Sequence, residues 1–465
     1  MLFFATTINY LDRQVLSLTW KDFIVPEFHW TNSDYGNIAA IFSFVYAIGM
    51  LFAGRFVDWL DTKKGFMWAI GIWSVGACIH AYCGIATAGV LTGNWFVSFE
   101  RAKEILGTVG DVGRVVSVSV SLFVVARIVL AFGESGNFPA AIKATAEFFP
   151  KKDRGFATSI FNAGSTVGAL AAPVTIPFIA AAYGWEASFL IIGALGFIWM
   201  GFWLFMYKKP HLHPRVNAAE LAYIRQDDAE VQPSATDEPV VKRKLGFLQA
   251  FGYRQTWAFA VGKFMTDGVW WFFLFWAPAY LSSVYNLDST ESALHVFVLY
   301  ALTLLSIIGG WLPTYFVDKK GMNPYAGRMK SMLIFAFFPL LTLLAQPLGH
   351  VSVWVPVVII GIAAAAHQAW SANIFSTIGD MFPRSSVATI TGIGGMAGGI
   401  GSVFINKGSG MLFDHAADTN MKFMGFEGIE SGYFIIFSIC SVAYLIGWVI
   451  MKALVPHYKP ITDID

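Results

Sequence analysis

The feature that most limits how this chain can fold is a succession of long apolar runs separated by short polar turns. They fall near residues 1 to 20, 35 to 57, 66 to 90, 115 to 148, 155 to 182, 186 to 207, 256 to 283, 293 to 317, 326 to 347, 351 to 381, 386 to 412 and 431 to 454. A helix crosses a bilayer with about 20 apolar residues, and it can do so because its backbone N–H and C=O groups bond within the helix where lipid offers no partner. Twelve such runs predict an all-α membrane protein of twelve transmembrane helices. Charged residues make up 13% of the 465 positions, against about 25% in soluble chains, which excludes a soluble enzyme. Lys plus Arg number 31 and Asp plus Glu 30, so no basic surface points to nucleic acid. Cys78, Cys83 and Cys440 all sit inside apolar runs and form neither a disulfide framework nor a metal-ligand spacing. No cleavable signal peptide is legible. Asp12 lies about 18 Å along the first span, near mid-bilayer, and a longer natural N-terminus is expected.

The runs divide six and six around 208 to 250, the longest polar stretch, with KKPHLHPR, QDDAE, SATDEP and KRK. This reads as a cytoplasmic, partly disordered linker between an N-terminal half, 1 to 207, and a C-terminal half, 251 to 465. An internal repeat supports the division: Glu147-Phe-Phe-Pro150 recurs as Asp380-Met-Phe-Pro383, and Asp58 before Lys63-Lys64-Gly65 recurs as Asp318 before Lys319-Lys320-Gly321. The two offsets, 233 and 260, differ by 27, so the first half holds extra residues. Residues 91 to 114 fit: Phe96, Phe99, Ala102 and Leu106 fall near one helical face and Glu100, Arg101, Lys103 and Glu104 oppose them. An extracytoplasmic amphipathic helix is expected there, packed at the interface or acting as a lid or partner surface. Basic residues favour the cytoplasmic side, and Lys63, Lys64, Lys151, Lys152, Arg154, Lys208, Lys209, Lys319, Lys320, Arg328, Lys330 and Arg384 put both termini there. Parallel six-helix repeats are how many secondary transporters build a site at the interface of two halves.

Charge inside the apolar runs carries the chemistry. Asp12 and Arg13 lie in the first span and Arg127 and Glu134 in the fourth. Unpaired charge at mid-bilayer is costly, so such groups face a cavity and pair. Arg127 and Glu134, seven residues apart, share one helical face about 10 Å apart. Two carboxylates and two guanidiniums sum to zero, and each bound proton adds a positive charge that favours an incoming anion. Protonation frees an arginine from its carboxylate, and a substrate carboxylate takes the two-pronged site. The alternative is a structural quartet, although buried ion pairs seldom stabilise better than apolar packing.

Gly54-Arg-Phe-Val-Asp58, followed by Lys63, Lys64 and Gly65, resembles the loop signature of the major facilitator superfamily; in the second copy Thr314 replaces the glycine. Asp58 can cap a helix or pair with a cation across a joint that closes one face of the molecule. NYLDR, RIVLAFGESGNFPAAIKATAEFFPKKDRGFATSIFNAGSTVGALAAP and AHQAWSANIFSTIGDMFP resemble the anion:cation symporter family of that superfamily. Within it the chain is similar to bacterial hexuronate transporters. The resemblance implies a major facilitator fold in two pseudo-symmetric six-helix halves, a bacterial inner-membrane location and import of glucuronate or galacturonate with protons. It implies Asp12 and Glu134 as proton-binding acids, Arg13 as the ligand of the substrate carboxylate, and Arg127 as the link between the two sites. Tyr10, Tyr46, Gln368, Trp370, Ser371 and Asn373 match its sugar-acid ligands, and Asp58, Lys63, Lys64, Asp318, Glu147 and Asp380 its gating residues.

The remaining polar residues suit a hydroxylated anion, which calls for one arginine and a set of amide, hydroxyl and aromatic groups. Aligning Asp12 with Asp267 puts Gly268 opposite Arg13, against a two-arginine phosphate site. Lys263 remains, and it either pairs with Asp267 four residues on or joins the site. The aromatic run Trp270 to Tyr280 packs, or forms a gate or stacking wall. His80 is a packing residue or a proton relay. The glycines Gly133, Gly136, Gly164 and Gly168 allow close helix contact or flexible rocking. No catalytic motif, metal cluster or cofactor site is present, and the transported proton takes a cofactor's place. The expected partners are the sugar acid and membrane lipid, the expected state a monomer. The rival readings are another organic anion such as galactonate or glucarate, sodium coupling or antiport, and a receptor that binds without transporting.

Overall fold

The computed structural model describes residues 1–150, 153–226, 246–383 and 386–461. Twelve long helical runs carry the architecture. In the first half they are α1 (Leu2–Thr19), α2 (Asn32–Leu60), α3 (Thr62–Thr92), α4 (Val112–Glu134 continued by Asn137–Phe148), α5 (Arg154–Tyr183) and α6 (Trp185–Met206). In the second they are α7 (Arg254–Tyr285), α8 (Ala293–Leu302 running into Ile308–Lys320), α9 (Pro324–Phe337 continued to Leu348), α10 (Trp354–Met381), α11 (Val387–Asp418) and α12 (Ile429–Leu454). Among the described residues, nine of these runs are long and apolar enough to cross a membrane by length and composition. Of the others, α1 carries Asp12 and Arg13, α7 carries Lys263 and Asp267, and α11 carries Asp414.

Several boundaries differ from the sequence reading, each for a local reason. The first span does not stop at residue 20: a π-helical turn, Trp20–Ile24, and a short helix, Val25–Phe28, carry it on to His29, which takes a left-handed φ of 59° and ends it. Trp20, at the turn, stacks on Tyr35 of α2 with ring centroids 4.1 Å apart. In the 91 to 114 segment the helix is Phe99–Thr108, capped by Ser98, with Ala102 and Leu106 buried; Phe96 precedes the helix and is fully exposed rather than on its packed face. A two-residue hairpin, Lys422–Phe423 with Phe426–Glu427, joins α11 to α12. The linker contributes short helices at Pro210–Leu212 and Ala218–Ile224, and its central residues 227–245 lie outside the described residues.

The glycines act by letting backbones touch. A β-carbon at Gly133 would sit 2.3 Å from the Trp73 amide of α3, and one at Gly164 would sit 2.3 Å from the Phe3 carbonyl of α1. The glycine-rich stretch of α11 does the same against α7, where a β-carbon at Gly401 would meet the Phe264 carbonyl at 2.1 Å. Without a hydrophobic drive between helices in lipid, such close contact supplies the cohesion.

The halves meet at one end. Helices with even numbers run back toward the termini, so the first turn of α2 and the last turns of α1, α7 and α11 share the end opposite the termini. There Asp414 of α11 accepts from the backbone amides of Asn32 and Ser33 at 2.9 and 2.6 Å and from the Asn32 side chain at 2.8 Å. Asp22 accepts from Ser282 at 3.3 Å and from Ser289, and the Tyr35 hydroxyl donates to the Phe275 carbonyl at 2.8 Å. Toward the termini α2 and α11 diverge. A β-carbon at Gly399 would lie 2.3 Å from Ala47, one at Gly392 would lie 3.5 Å from Leu51, and one at Gly54 would meet nothing within 4 Å. Among the described residues, hydrogen bonds that tie α2 to α11 and α7, and the end of α1 to α7, lie at the far end.

Candidate functional site

The site is assembled by α1 and α4 and walled by α2 and α7. Asp12 and Arg13 sit at the middle of α1, and Glu134 is the last residue of the first segment of α4, where Ser135 and Gly136 interrupt the helix. Asp12 and Glu134 are wholly buried and Arg13 and Arg127 are 3% exposed. The Arg13 guanidinium donates twice to a single Glu134 oxygen, Nε at 2.9 Å and Nη2 at 2.7 Å. The other Glu134 oxygen has no partner among the described residues, nor do either carboxylate oxygen of Asp12 or the Nε and Nη1 of Arg127. Asp12 is nevertheless within electrostatic reach of Glu134, Arg127 and Arg13. All four charged residues named from sequence therefore share one neighbourhood, with one pair formed and the other two groups unbonded.

Aromatic rings fix the arginines. The Arg13 guanidinium lies 5.0 Å from the centroid of Tyr10, 4.7 Å from Tyr46, 5.7 Å from Phe42 and 5.0 Å from Trp271. Arg127 lies 5.3 Å from the same Phe42 ring, so one ring holds two cations near each other. Each such contact contributes roughly 0.5 to 2 kcal/mol, more where water is excluded. Trp271 belongs to the second half, which makes the cage a joint between halves. Phe42 was not singled out in the sequence, where it is one phenylalanine among 43 and only the fold reveals its position.

The α10 residues divide. Gln368 and Ser371 are partly exposed. Trp370 is fully buried, edge-on to Tyr444 of α12 at 5.5 Å, and Asn373 donates to the carbonyls of Gly309 and Ala369, both at 2.8 Å, joining α10 to α8. His367 bonds the Tyr444 hydroxyl at 2.7 Å and stacks on Trp270 at 5.5 Å. His80 bonds the Gly76 carbonyl at 2.7 Å and stacks on Phe189 at 4.9 Å, a packing role. Lys263 and Asp267 pair at 2.7 Å.

At the terminal end the bonds between described residues stay within each half. Glu147, at the end of α4, accepts from Thr62 at the start of α3 at 2.5 Å and from Tyr207; its repeat partner Asp380, at the end of α10, pairs with Arg328 near the start of α9 at 2.7 Å. Lys63 donates to the Leu204 carbonyl at 2.7 Å, while Lys64 and Asp318 are exposed. The side chain of Asp58 lies outside the described residues.

An arginine and a glutamate paired in the interior of a bundle of long apolar helices, with Trp271 of the second half against the arginine, fit a membrane transport protein, and the family match carries that class. The chain belongs to the Major Facilitator Superfamily, whose model matches residues 2–405. It is 29% identical over 417 residues to the hexuronate transporter of Escherichia coli K12, covering 88% of this chain and 85% of that one. It is 27% identical over 314 residues to the galacturonate transporter of Dickeya chrysanthemi, covering 67% and 79%. The solved structure of a bacterial homologue of the human lysosomal transporter Spinster, inward-facing and unoccupied, superposes with a TM-score of 0.68 at 17% identity, over 97% of this chain and 96% of that one. That likeness is one of fold.

Proposed function

We propose that the protein is a proton-coupled symporter that imports a sugar acid, a hexuronate such as glucuronate or galacturonate, by alternating access. The observation that carries this reading is the Arg13–Glu134 pair, in which both donors of a caged guanidinium rest on one buried carboxylate oxygen. A proton on Glu134 removes the charge that holds Arg13, and the substrate carboxylate accepts the same fork of N–H donors. Asp12, without a bonded partner, is the second proton acceptor, and Arg127 supplies the positive field that links the two acids. Tyr10, Tyr46, Gln368 and Ser371 supply hydroxyl and amide partners for the sugar, and Trp271 carries occupancy of the site to the second half. The names of the relatives support the choice of hexuronate.

The excess of Lys and Arg at the terminal end supports an orientation with both termini in the cytoplasm of a bacterial inner membrane. With that orientation the Asp414 and Asp22 bonds seal the outside, and the protein rests inward-open as a monomer. The test is uptake of labelled glucuronate into proteoliposomes under an imposed pH gradient, with choline replacing sodium. Saturable accumulation that persists in choline is expected, and Glu134→Gln abolishes accumulation while retaining exchange of bound substrate. Accumulation that needs sodium, or that survives in Glu134→Gln, overturns the coupling; labelled glucuronate that binds and never accumulates makes the protein a receptor.

A further inference from the structure

Three polar side chains that the charged quartet does not use lie to one side of it, within the first half. Asn9 of α1 and Asn137 of α4 are both wholly buried, and neither the oxygen nor the nitrogen of either amide has a hydrogen-bond partner among the described residues. The Thr145 hydroxyl, farther along α4, is also buried and without a partner among them. An amide side chain offers two donors and an acceptor, and burying it with none of them used is costly. Such groups are ordinarily held by bound water, which makes about three hydrogen bonds to polar atoms that have no other partner.

The register of α1 against α4 places these groups. The two helices run antiparallel and in contact, and they are pinned at two levels. Arg13 pairs with Glu134 at 2.7 Å, and Leu2 and Thr145 line one cavity of about 230 Å³ at the terminal end, together with Met1, Tyr207 and His213. Eleven residues separate Leu2 from Arg13, and eleven separate Glu134 from Thr145, so the two pins agree and both stretches rise about 16 Å. In that register Asn9 stands level with Phe138, the neighbour of Asn137, one turn to the terminal side of the Arg13–Glu134 pair. The next turn holds small buried side chains, Ala5, Ala140 and Ala141, and beyond it come Thr145 and the cavity. Contact with α5 uses another face of α1, since β-carbons at Gly164 and Gly168 would meet Phe3, Thr7 and Tyr10. On the side of the second half, the rings of Tyr10, Tyr46, Phe42 and Trp271 cover the Arg13 guanidinium, and the Glu134 side chain is 0% exposed. The polar way out from Glu134 therefore runs between α1 and α4, away from Trp271.

We propose that Asn9 and Asn137 bind a file of water that carries the proton of Glu134 to the terminal end through the first half, apart from the path of the substrate. The Glu134 carboxyl gives its proton to the first water, each water passes one on, and the last leaves at the cavity beside Thr145; the carboxylate that remains pairs again with Arg13. The inference rests on Glu134 as a proton-binding acid. Asn9→Leu and Asn137→Leu replace each amide by an apolar group of similar size. Both are expected to keep glucuronate binding, read by calorimetry, and exchange of bound substrate in proteoliposomes, neither of which requires the proton to leave. Accumulation driven by a pH gradient falls at least about tenfold, and Asn137→Ser, which keeps a group that binds water, retains part of it. The infrared band of protonated Glu134, identified by its loss in Glu134→Gln, exchanges from light to heavy water more slowly in Asn137→Leu. If the leucine variants do not fold, Thr145→Val removes the last hydroxyl at nearly constant size and carries the same expectation. Variants that accumulate like wild type, or that lose binding and exchange together with accumulation, overturn this inference and leave the symport reading standing. Wild type that accumulates on sodium without a pH gradient overturns the proton reading itself.

Discussion

On the proposed function the chemistry turns on Arg13, and its environment is one that lysine does not reproduce. The guanidinium delivers two N–H groups to one oxygen of Glu134 while its faces lie against Tyr10, Tyr46, Phe42 and Trp271. An ammonium is a compact, strongly hydrated charge that neither forks nor stacks as a plane. Arg13→Lys is therefore expected to weaken glucuronate binding by about tenfold or more, read by calorimetry; unchanged affinity removes Arg13 from the site. Tyr46→Leu keeps the volume near and loses the ring, and a loss of roughly threefold to thirtyfold is expected from one cation–π contact. Truncating the partner is worse than replacing it: Glu134→Ala leaves a buried guanidinium unpaired, at a cost of about 3 to 5 kcal/mol, so its melting temperature falls well below that of Glu134→Gln. The identity of these charged groups was legible in the sequence because charge inside an apolar run has so few explanations. Which of them pair was not, since Arg13 and Glu134 lie 121 positions apart and periodicity relates only residues on one helix.

Helices here are shaped by what they must approach. The break in α4 at Ser135 and Gly136 places Glu134 at a helix end, and a β-carbon at Gly136 would meet Ala69 of α3 at 2.7 Å. Substitution of a glycine in close contact should therefore cost more than its propensity. Gly164→Val pushes into the Phe3 carbonyl of α1 and is expected to cost about 1 to 3 kcal/mol of overpacking, read as a lower melting temperature. Gly395→Ala, where nothing lies within 4 Å, is the control and should melt like wild type; equal losses in the two would mean that packing is not the reason for the glycines. The glycine-rich stretch of α11, GIGGMAGGIG, offers few polar side chains, and its use lies in what it leaves room for. Its glycines give way to the Asp267 carboxylate and the Phe264 carbonyl, a need set by α7, which apolar periodicity in α11 cannot register.

For the whole molecule, the joint between the halves at the far end is reciprocal: Asp414 of the second half caps the first turn of α2, and Asp22 of the first half accepts from Ser282 and Ser289 of the second. A carboxylate at a helix N-terminus meets free N–H groups and the positive end of the helix dipole, so Asp414 is well matched to its role. Removing it by Asp414→Ala forfeits charge-assisted bonds of about 1.5 to 3 kcal/mol each, enough to move a two-state equilibrium by tenfold or more. Spin labels at Glu100→Cys and Asp418→Cys, both exposed at the far end, should report a second, longer distance in Asp414→Ala. A single unchanged distance would mean that this contact does not hold the gate.

The fold class is legible in the sequence by itself, and so are the four charged residues that α1 and α4 bring together, because lipid permits so little: each span must be long and apolar, and a charge within one calls for a partner. Charge within an apolar run is what the sequence shows most plainly: Asp12 and Arg13 in α1, Lys263 and Asp267 in α7, and Asp414 in α11. Only the tertiary structure decided that Glu134 holds Arg13 while Asp12 has no hydrogen-bond partner among the described residues, that Phe42 and Trp271 complete the cage, that Asn373 bonds the Gly309 carbonyl of α8, and that Asp414 and Asp22 join the halves at the far end. Those facts depend on distances between helices, and helices far apart in the chain meet only when the bundle closes.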